Sequence, residues 1–153
     1  MKKLILLCFT AFCSAGIFAA PLHTNSIDAT AKIRKVFHQN FPEIKNPSIT
    51  NVGEFYIVYF ANEDSSSSCR IFYDSNGNVI ETIRYYTGEE LSPFIRAKID
   101  SKYKGKNVFM VTDVANDNEH YYQIILQDSK SMIVIHANDN GQMYRERKYK
   151  RAA

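Results

Sequence analysis

The order of apolar segments is the feature that most constrains the fold of this chain, because the same order occurs twice. In the first half, Ile33 and Phe37 lie at helical spacing ahead of Pro42, and four short strand-like segments follow. In the second half, Pro93 opens another helical pattern, and four further strand-like segments follow it. The eight predicted strands cover residues 49–52, 55–60, 70–73, 79–86, 108–114, 121–126, 132–137 and 143–149.

The turns support a duplication. The segment Asp74-Ser75-Asn76-Gly77 matches Asn138-Asp139-Asn140-Gly141, and in both a glycine allows the positive φ of a tight hairpin turn. We therefore predict an α+β domain over residues 21–153, made of two tandem copies at about 27–87 and 91–150. Each copy would be one helix followed by a four-stranded antiparallel sheet, and the two would pack as one domain with a long antiparallel sheet. A chance likeness between the halves is the alternative.

The N-terminus predicts export. Lys2 and Lys3 precede an apolar run at 4–12, and small residues follow up to Ala19 and Ala20, which is the pattern of a secretory signal peptide. Residues 1–20 are the predicted signal peptide, with cleavage after Ala19 or Ala20. Polar interruptions and the missing charged stop argue against a stable membrane span. The mature chain is then expected in the periplasm or outside the cell, and the two locations are not distinguished.

Charge and cysteine content narrow the classes of partner. Without Lys2 and Lys3, 17 Lys and Arg stand against 16 Asp and Glu, so no nucleic-acid partner is predicted. Cys8 and Cys13 leave with the signal peptide, and Cys69 remains. An internal disulfide is thereby excluded in the mature chain, whereas pairing of Cys69 with a second chain stays open.

No residue pattern predicts catalysis, a cofactor or a metal. The histidines have no metal-ligand spacing, and Cys69 follows a serine run at a strand start, where a lone half-buried thiol is commoner than a nucleophile. Glu89 and Glu90 fit a position ahead of a helix N-terminus. Neither a phosphate-binding glycine loop nor a nucleophile elbow occurs. We therefore predict a protein that is not an enzyme and has no cofactor. The four histidines of the chain, all beyond the predicted signal peptide, are His23, His38, His120 and His136.

The chain also resembles a known family. The stretch at 83–86 leading into 91–95, and the Tyr-Asp-x-x-Gly turn at 73–77, resemble the beta-lactamase-inhibitor-like, PepSY-like exported proteins of Bacteroidetes-type bacteria. The resemblance covers nearly all of the mature chain. It implies protein binding or inhibition through a sheet surface. The chain lacks the tryptophan often found in the first copy of that family, and inhibition of a beta-lactamase is not inferred.

The sheet face turned away from the helices is the candidate binding surface. Because successive side chains of a strand point to opposite sides, we expect Tyr122, Ile124 and Leu126 to face the core and the residues between them to face outwards. Tyrosine and arginine suit protein recognition, because they offer rigid contact area and forked hydrogen-bond donors. The alternative is a solvated face whose long side chains shield the strands. The candidate residues are Tyr121, Gln123, Arg145, Arg147 and Tyr149.

The predicted function is an exported, non-enzymatic binding module with a protein or peptide partner. Two other functions are compatible with the sequence. One is an enzyme or enzyme accessory that acts on an envelope polymer in the cleft between the copies. The other is an envelope structural protein that assembles through its sheet edges. The sequence leaves the oligomeric state open.

Overall fold

The computed structural model describes residues 24–62 and 66–151. The predicted signal peptide at 1–20, together with Cys8, Cys13 and His23, lies outside these ranges. The elements are α1 (Thr24–Asn40), β1 (Ser48–Val52), β2 (Phe55–Ala61), β3 (Ser68–Tyr73), β4 (Val79–Tyr86), a short 3-10 helix (Gly88–Glu90), α2 (Pro93–Lys102), β5 (Asn107–Asn116), β6 (His120–Gln127), β7 (Ser131–Ala137) and β8 (Met143–Lys150).

All eight strands form one antiparallel sheet, and each strand pairs with its neighbour in the sequence. Antiparallel neighbours can be joined by short turns, so this order needs no crossover. In the turn after β3, the Asp74 carboxylate accepts hydrogen bonds from the backbone N–H groups of Asn76 and Asn78, both at 2.8 Å. Gly77 closes that turn with a φ of 86°, a conformation that a side chain would strain.

The predicted fold class is wrong. The strands do not form two four-stranded sheets, because β4 and β5 pair from Glu81↔Asn116 to Tyr86↔Val111 and join all eight into one sheet. With two α-helices beside this sheet, the described chain is mostly β rather than α+β. The physical reason is the backbone: separate sheets would leave unpaired N–H and C=O groups along both β4 and β5.

Both helices lie on the same side of the sheet. Ile33 and Phe37 of α1 are fully buried against β2 and β3, and Ile95 and Ile99 of α2 are buried against β5, β6 and β7. Each helix buries a stripe with i, i+4 spacing, which is the stripe an amphipathic helix presents to a core. The opposite side of the sheet has no helix from residues 24–62 or 66–151 against it. Within those ranges, no helix is long and apolar enough to span a membrane.

Candidate functional site

The outward face is the side of the eight-stranded sheet opposite α1 and α2. Strand pairing defines it, because residues directly opposite each other on antiparallel strands point to the same side. Each strand contributes the residues that alternate with its core residues. Its larger aromatic and aliphatic residues are Val52, Phe55, Ile57, Tyr59, Phe72, Ile83, Tyr85, Met110, Val114, Tyr121, Ile125, Met132, Val134, Tyr144 and Tyr149.

Aromatic side chains at both ends of the outward face are open to solvent. Phe55 and Tyr59 on β2 are 47% and 41% exposed, and Tyr144 and Tyr149 on β8 are 40% and 45% exposed. Scattered exposed apolar residues are ordinary, but here half-buried and buried side chains of the central strands continue the apolar surface between the two exposed ends, and exposed apolar surface is typical of interaction sites. The outward face therefore has the composition of a binding surface.

Four of the predicted residues share the outward face. Gln123 of β6 pairs with His136 of β7, and Tyr121 stacks on the His136 ring with centroids 5.4 Å apart and an interplanar angle of 8°. Arg147 and Tyr149 of β8 pair with Val134 and Met132 of β7. The Arg145 side chain lies outside the described part of the chain. The structure thus brings the predicted tyrosines, Gln123 and Arg147 onto one surface.

An irregularity between β7 and β8 changes the alternation assumed from the sequence. Val134 pairs with Arg147 whereas His136 pairs with Tyr144, so β8 gains one residue between the two pairs. Tyr144 therefore lies on the outward face, and Met143 packs against the core. Strict period-two alternation from Tyr149 would have placed Met143 outwards instead. A bulge is set by pairing with the partner strand, which strand composition does not reveal.

The first half also contributes residues to the outward face that sequence reasoning missed. Arg70 of β3 lies with its guanidinium carbon 5.5 Å from the centre of the Tyr85 ring of β4, in a cation–π geometry. Alternation at 55–60 could have predicted the outward residues of β2, because Phe55, Ile57 and Tyr59 face away from the buried Tyr56 and Val58.

A second polar arrangement lies on the helix-covered side, where His120 connects two carboxylates. His120 Nε2 is 2.8 Å from Asp113 Oδ1, and His120 Nδ1 is 2.9 Å from Asp139 Oδ1. The Tyr122 hydroxyl donates to Asp139 at 3.1 Å. Both ring nitrogens are thus held by carboxylates. No group of His, Cys, Asp and Glu within 24–62 and 66–151 could hold a metal ion.

The His120 cluster predicts a pH-dependent stability. Burial lowers the pKa of His120, but hydrogen bonds and charge from Asp113 and Asp139 outweigh it and raise that pKa above 6.5. The stabilisation that protonated His120 gives the folded chain is complete below about pH 6.5, the pKa of histidine in the unfolded chain. It is lost as the pH rises through the higher pKa that His120 has in the folded chain. Because His120 is partly exposed, we expect H120Q to lower the free energy of unfolding by about 0.5–1 kcal/mol at pH 5.5.

Urea unfolding at pH 5.5 and pH 9 tests this. The difference in the free energy of unfolding between wild type and H120Q should shrink at pH 9. An equal loss at both pH values would contradict an ionic role for His120.

Cys69 is a free cysteine on β3 and is 8% exposed. Burial raises the pKa of the Cys69 thiol to about 11, partly offset by the positive charge of Arg84. Since the thiolate is the nucleophile, a neutral buried thiol is poorly suited to catalysis. The same burial disfavours a disulfide between chains, which the sequence left open.

The fold and the outward face define the class: a mainly antiparallel sheet with two helices on one side and an open aromatic surface on the other. No protein-family model matches the sequence, and no curated protein matches it. Several solved structures share the fold, among them three from Bacteroides species.

The first is a DUF2874 family protein from Bacteroides ovatus, with a TM-score of 0.60 and 15% sequence identity, and the match covers 76% of this chain and 85% of that one. The second is a protein from Bacteroides eggerthii described as periplasmic, with a TM-score of 0.60, 11% identity and coverage of 76% of this chain and 86% of that one. The third is a BLIP-like protein from Bacteroides fragilis, with a TM-score of 0.59, 16% identity and coverage of 80% of this chain and 88% of that one. The predicted resemblance to beta-lactamase-inhibitor-like Bacteroidetes proteins is confirmed at the level of fold. The PepSY-like part of that resemblance stays a prediction.

Proposed function

We propose that this chain is an exported, non-enzymatic binding module that holds a protein or peptide partner on its outward face. The observation that carries the proposal is the open aromatic surface, which no described element covers. The signal-peptide pattern at 1–20 supports export, as does a fold neighbour described as periplasmic. The BLIP-like neighbour supports a binding role of the same general kind.

The composition of the outward face indicates what its partner should offer. The exposed Tyr144 and Tyr149, together with the half-buried Tyr121, provide rigid aromatic contact area, and such residues dominate the binding energy of protein interfaces. Arg147 adds a forked donor that can hold a carboxylate by two parallel hydrogen bonds. A partner with apolar side chains and at least one carboxylate at its contact surface fits this chemistry.

Site-specific photocrosslinking tests the proposal. A benzophenone amino acid at position 121 or 149, in the protein expressed in its own cell envelope, should give one shared adduct. The matched control is the same substitution at Phe94, which is 54% exposed on α2, outside the outward face. Equal adducts from position 94, or none from the other two, would refute binding through the outward face.

Alanine substitutions then measure the strength of the contact. With the crosslinked partner purified, we expect R147A and Y149A each to weaken binding by about 10- to 30-fold, the range of interface hot spots. The control K102A removes an exposed lysine from the end of α2 and should leave the affinity within about twofold. Unchanged affinity for both R147A and Y149A would contradict the assignment.

The two alternative functions receive less support. In the His120 cluster, both ring nitrogens are already engaged by Asp113 and Asp139, so no ring nitrogen is left for a substrate. Assembly through sheet edges would use β1 or β8. The β8 edge carries Arg147, Lys148 and Lys150, and like charges of this kind oppose edge-to-edge pairing.

A further inference from the structure

A cavity of about 510 Å³ lies on the helix-covered side of the sheet, opposite the outward face. The end of α1 borders it on one side, and β2, β3 and β4 border it on the other. Phe41, Phe60 and Ile71 supply much of its apolar lining. This volume lies within the range of roughly 300–1,000 Å³ found for pockets that bind small molecules.

A buried tyrosine hydroxyl beside the cavity lacks a hydrogen-bond partner. Tyr73 lines the cavity, its side chain is 0% exposed, and its hydroxyl makes no hydrogen bond. Buried polar atoms are ordinarily paired, because an unmade hydrogen bond costs the desolvation of the group. Burial raises the pKa of the Tyr73 hydroxyl, and the neighbouring Cys69 thiol adds a smaller contribution in the same direction. The cavity thus contains an unused donor beside a small polarisable group.

The deep part of the cavity carries no charge. Burial keeps the Cys69 thiol neutral, with a pKa raised to about 11. Glu43 and Arg84 also border the cavity, but both are exposed, and Arg84 Nη2 is already 3.2 Å from Glu90 Oε2. An ionised ligand would lose its hydration there without a dedicated counter-ion. The lining therefore favours an uncharged ligand.

We infer that this cavity binds an uncharged, mainly apolar small molecule that places one oxygen against the Tyr73 hydroxyl. A medium-chain alcohol represents this class of ligand. Because the Tyr73 hydroxyl has almost no surface accessible to water, the ligand must displace part of the cavity wall to reach it. Its oxygen then accepts the hydrogen bond that Tyr73 otherwise leaves unmade, and its chain lies along Phe41, Phe60 and Ile71. This site is independent of partner binding on the outward face, because the two lie on opposite sides of the sheet.

Two probes separate recognition of the oxygen from filling of the apolar space. The first is N-phenyl-1-naphthylamine, an uncharged fluorescent molecule without oxygen, and the second is decan-1-ol as its competitor. Wild-type protein should bind the dye saturably and release it when decan-1-ol is added. We expect Y73F to weaken decan-1-ol by about five- to tenfold, the value of one hydrogen bond, and to leave the dye affinity within about twofold.

The matched control for Y73F is Y56F. Tyr56 pairs directly with Tyr73 and is also buried, but it does not line this cavity. We expect Y56F to bind both probes as the wild type does. Equal decan-1-ol affinities for Y73F and Y56F would overturn the role of the Tyr73 hydroxyl.

Filling the cavity tests its location. Thr82 of β4 lines the cavity, and Thr112 of β5 lies on the outward face. T82W should abolish binding of both probes, whereas T112W should retain it, with circular dichroism and thermal melting confirming that both variants fold. Full binding by folded T82W, or no saturable binding by wild type, would overturn the proposal.

A measurement on the wild-type chain does not depend on the folding of any variant. Cys69 lines the same cavity, so saturating decan-1-ol should slow its alkylation by iodoacetamide at least about fivefold, with the rate read by mass spectrometry. An unchanged alkylation rate would contradict occupancy of the cavity.

Discussion

Replacing Phe37 by alanine is expected to lower the free energy of unfolding by about 3–5 kcal/mol, the usual cost of removing a buried aromatic ring. Phe37 of α1 is fully buried, and its ring centre lies 5.0 Å from that of Phe41 and 5.4 Å from that of Phe60 on β2. The substitution removes these ring contacts, together with a third to the His38 ring at 5.7 Å, and leaves a cavity where α1 meets the sheet.

Urea unfolding of F37A, followed by far-ultraviolet circular dichroism, measures this loss. The matched control is F94A, because Phe94 is 54% exposed on α2, with Lys98 Nζ 4.5 Å from its ring centre. We expect F94A to cost less than about 1 kcal/mol. A loss below about 1 kcal/mol for F37A as well would mean that α1 does not dock on β2 through this ring.

Replacing Gly88 by alanine is expected to cost about 1–3 kcal/mol through overpacking. Gly88 is buried directly after β4, and a Cβ at this position would lie 2.7 Å from Val108 Cβ and 2.9 Å from Val108 Cγ1 of β5. Its carbonyl also accepts a 2.9 Å hydrogen bond from Arg96 Nη1, so the segment has little freedom to move away. The tight contact lies where the two halves of the sheet meet.

A double-mutant cycle with V108A tests the cause of the G88A loss. If contact with Val108 is responsible, the double variant should be destabilised by clearly less than the sum of the two single variants. G105A is a useful contrast: Gly105 has a φ of 77° and open space around its Cβ position, so V108A should not relieve its loss. Strict additivity of G88A and V108A would rule out this contact as the cause.

The sequence predicted the separate elements well because their signals are local. The helical spacing of Ile33 and Phe37, Pro93 at the start of α2 and the Asn-Gly turn at 76–77 each depend on residues within a few positions of one another. The predicted strands agree with the observed ones to within a few residues. Strand alternation likewise placed Tyr121, Gln123, Arg147 and Tyr149 on one side of the sheet.

The candidate sites, in contrast, depend on contacts between residues that are distant in the sequence. His120 reaches Asp113 and Asp139, and the cavity beside Cys69 needs the end of α1 over three strands, so neither follows from sequence spacing. The outward position of Tyr144 depends on the irregular pairing of β7 with β8. Each of these depends on how elements pack against one another.

The sequence by itself therefore determined which residues form helices, strands and turns, and which side of most strands is apolar, because side-chain periodicity and turn chemistry act over a few residues. Only the tertiary structure decided how the two halves join, with β4 beside β5 and all eight strands in chain order within one continuous sheet. That outcome depends on the pairing of β4 with β5, which satisfies backbone groups that two separate sheets would leave open. The continuous sheet places the outward residues of both halves on one surface, and packing of α1 on the other side creates the cavity at Tyr73.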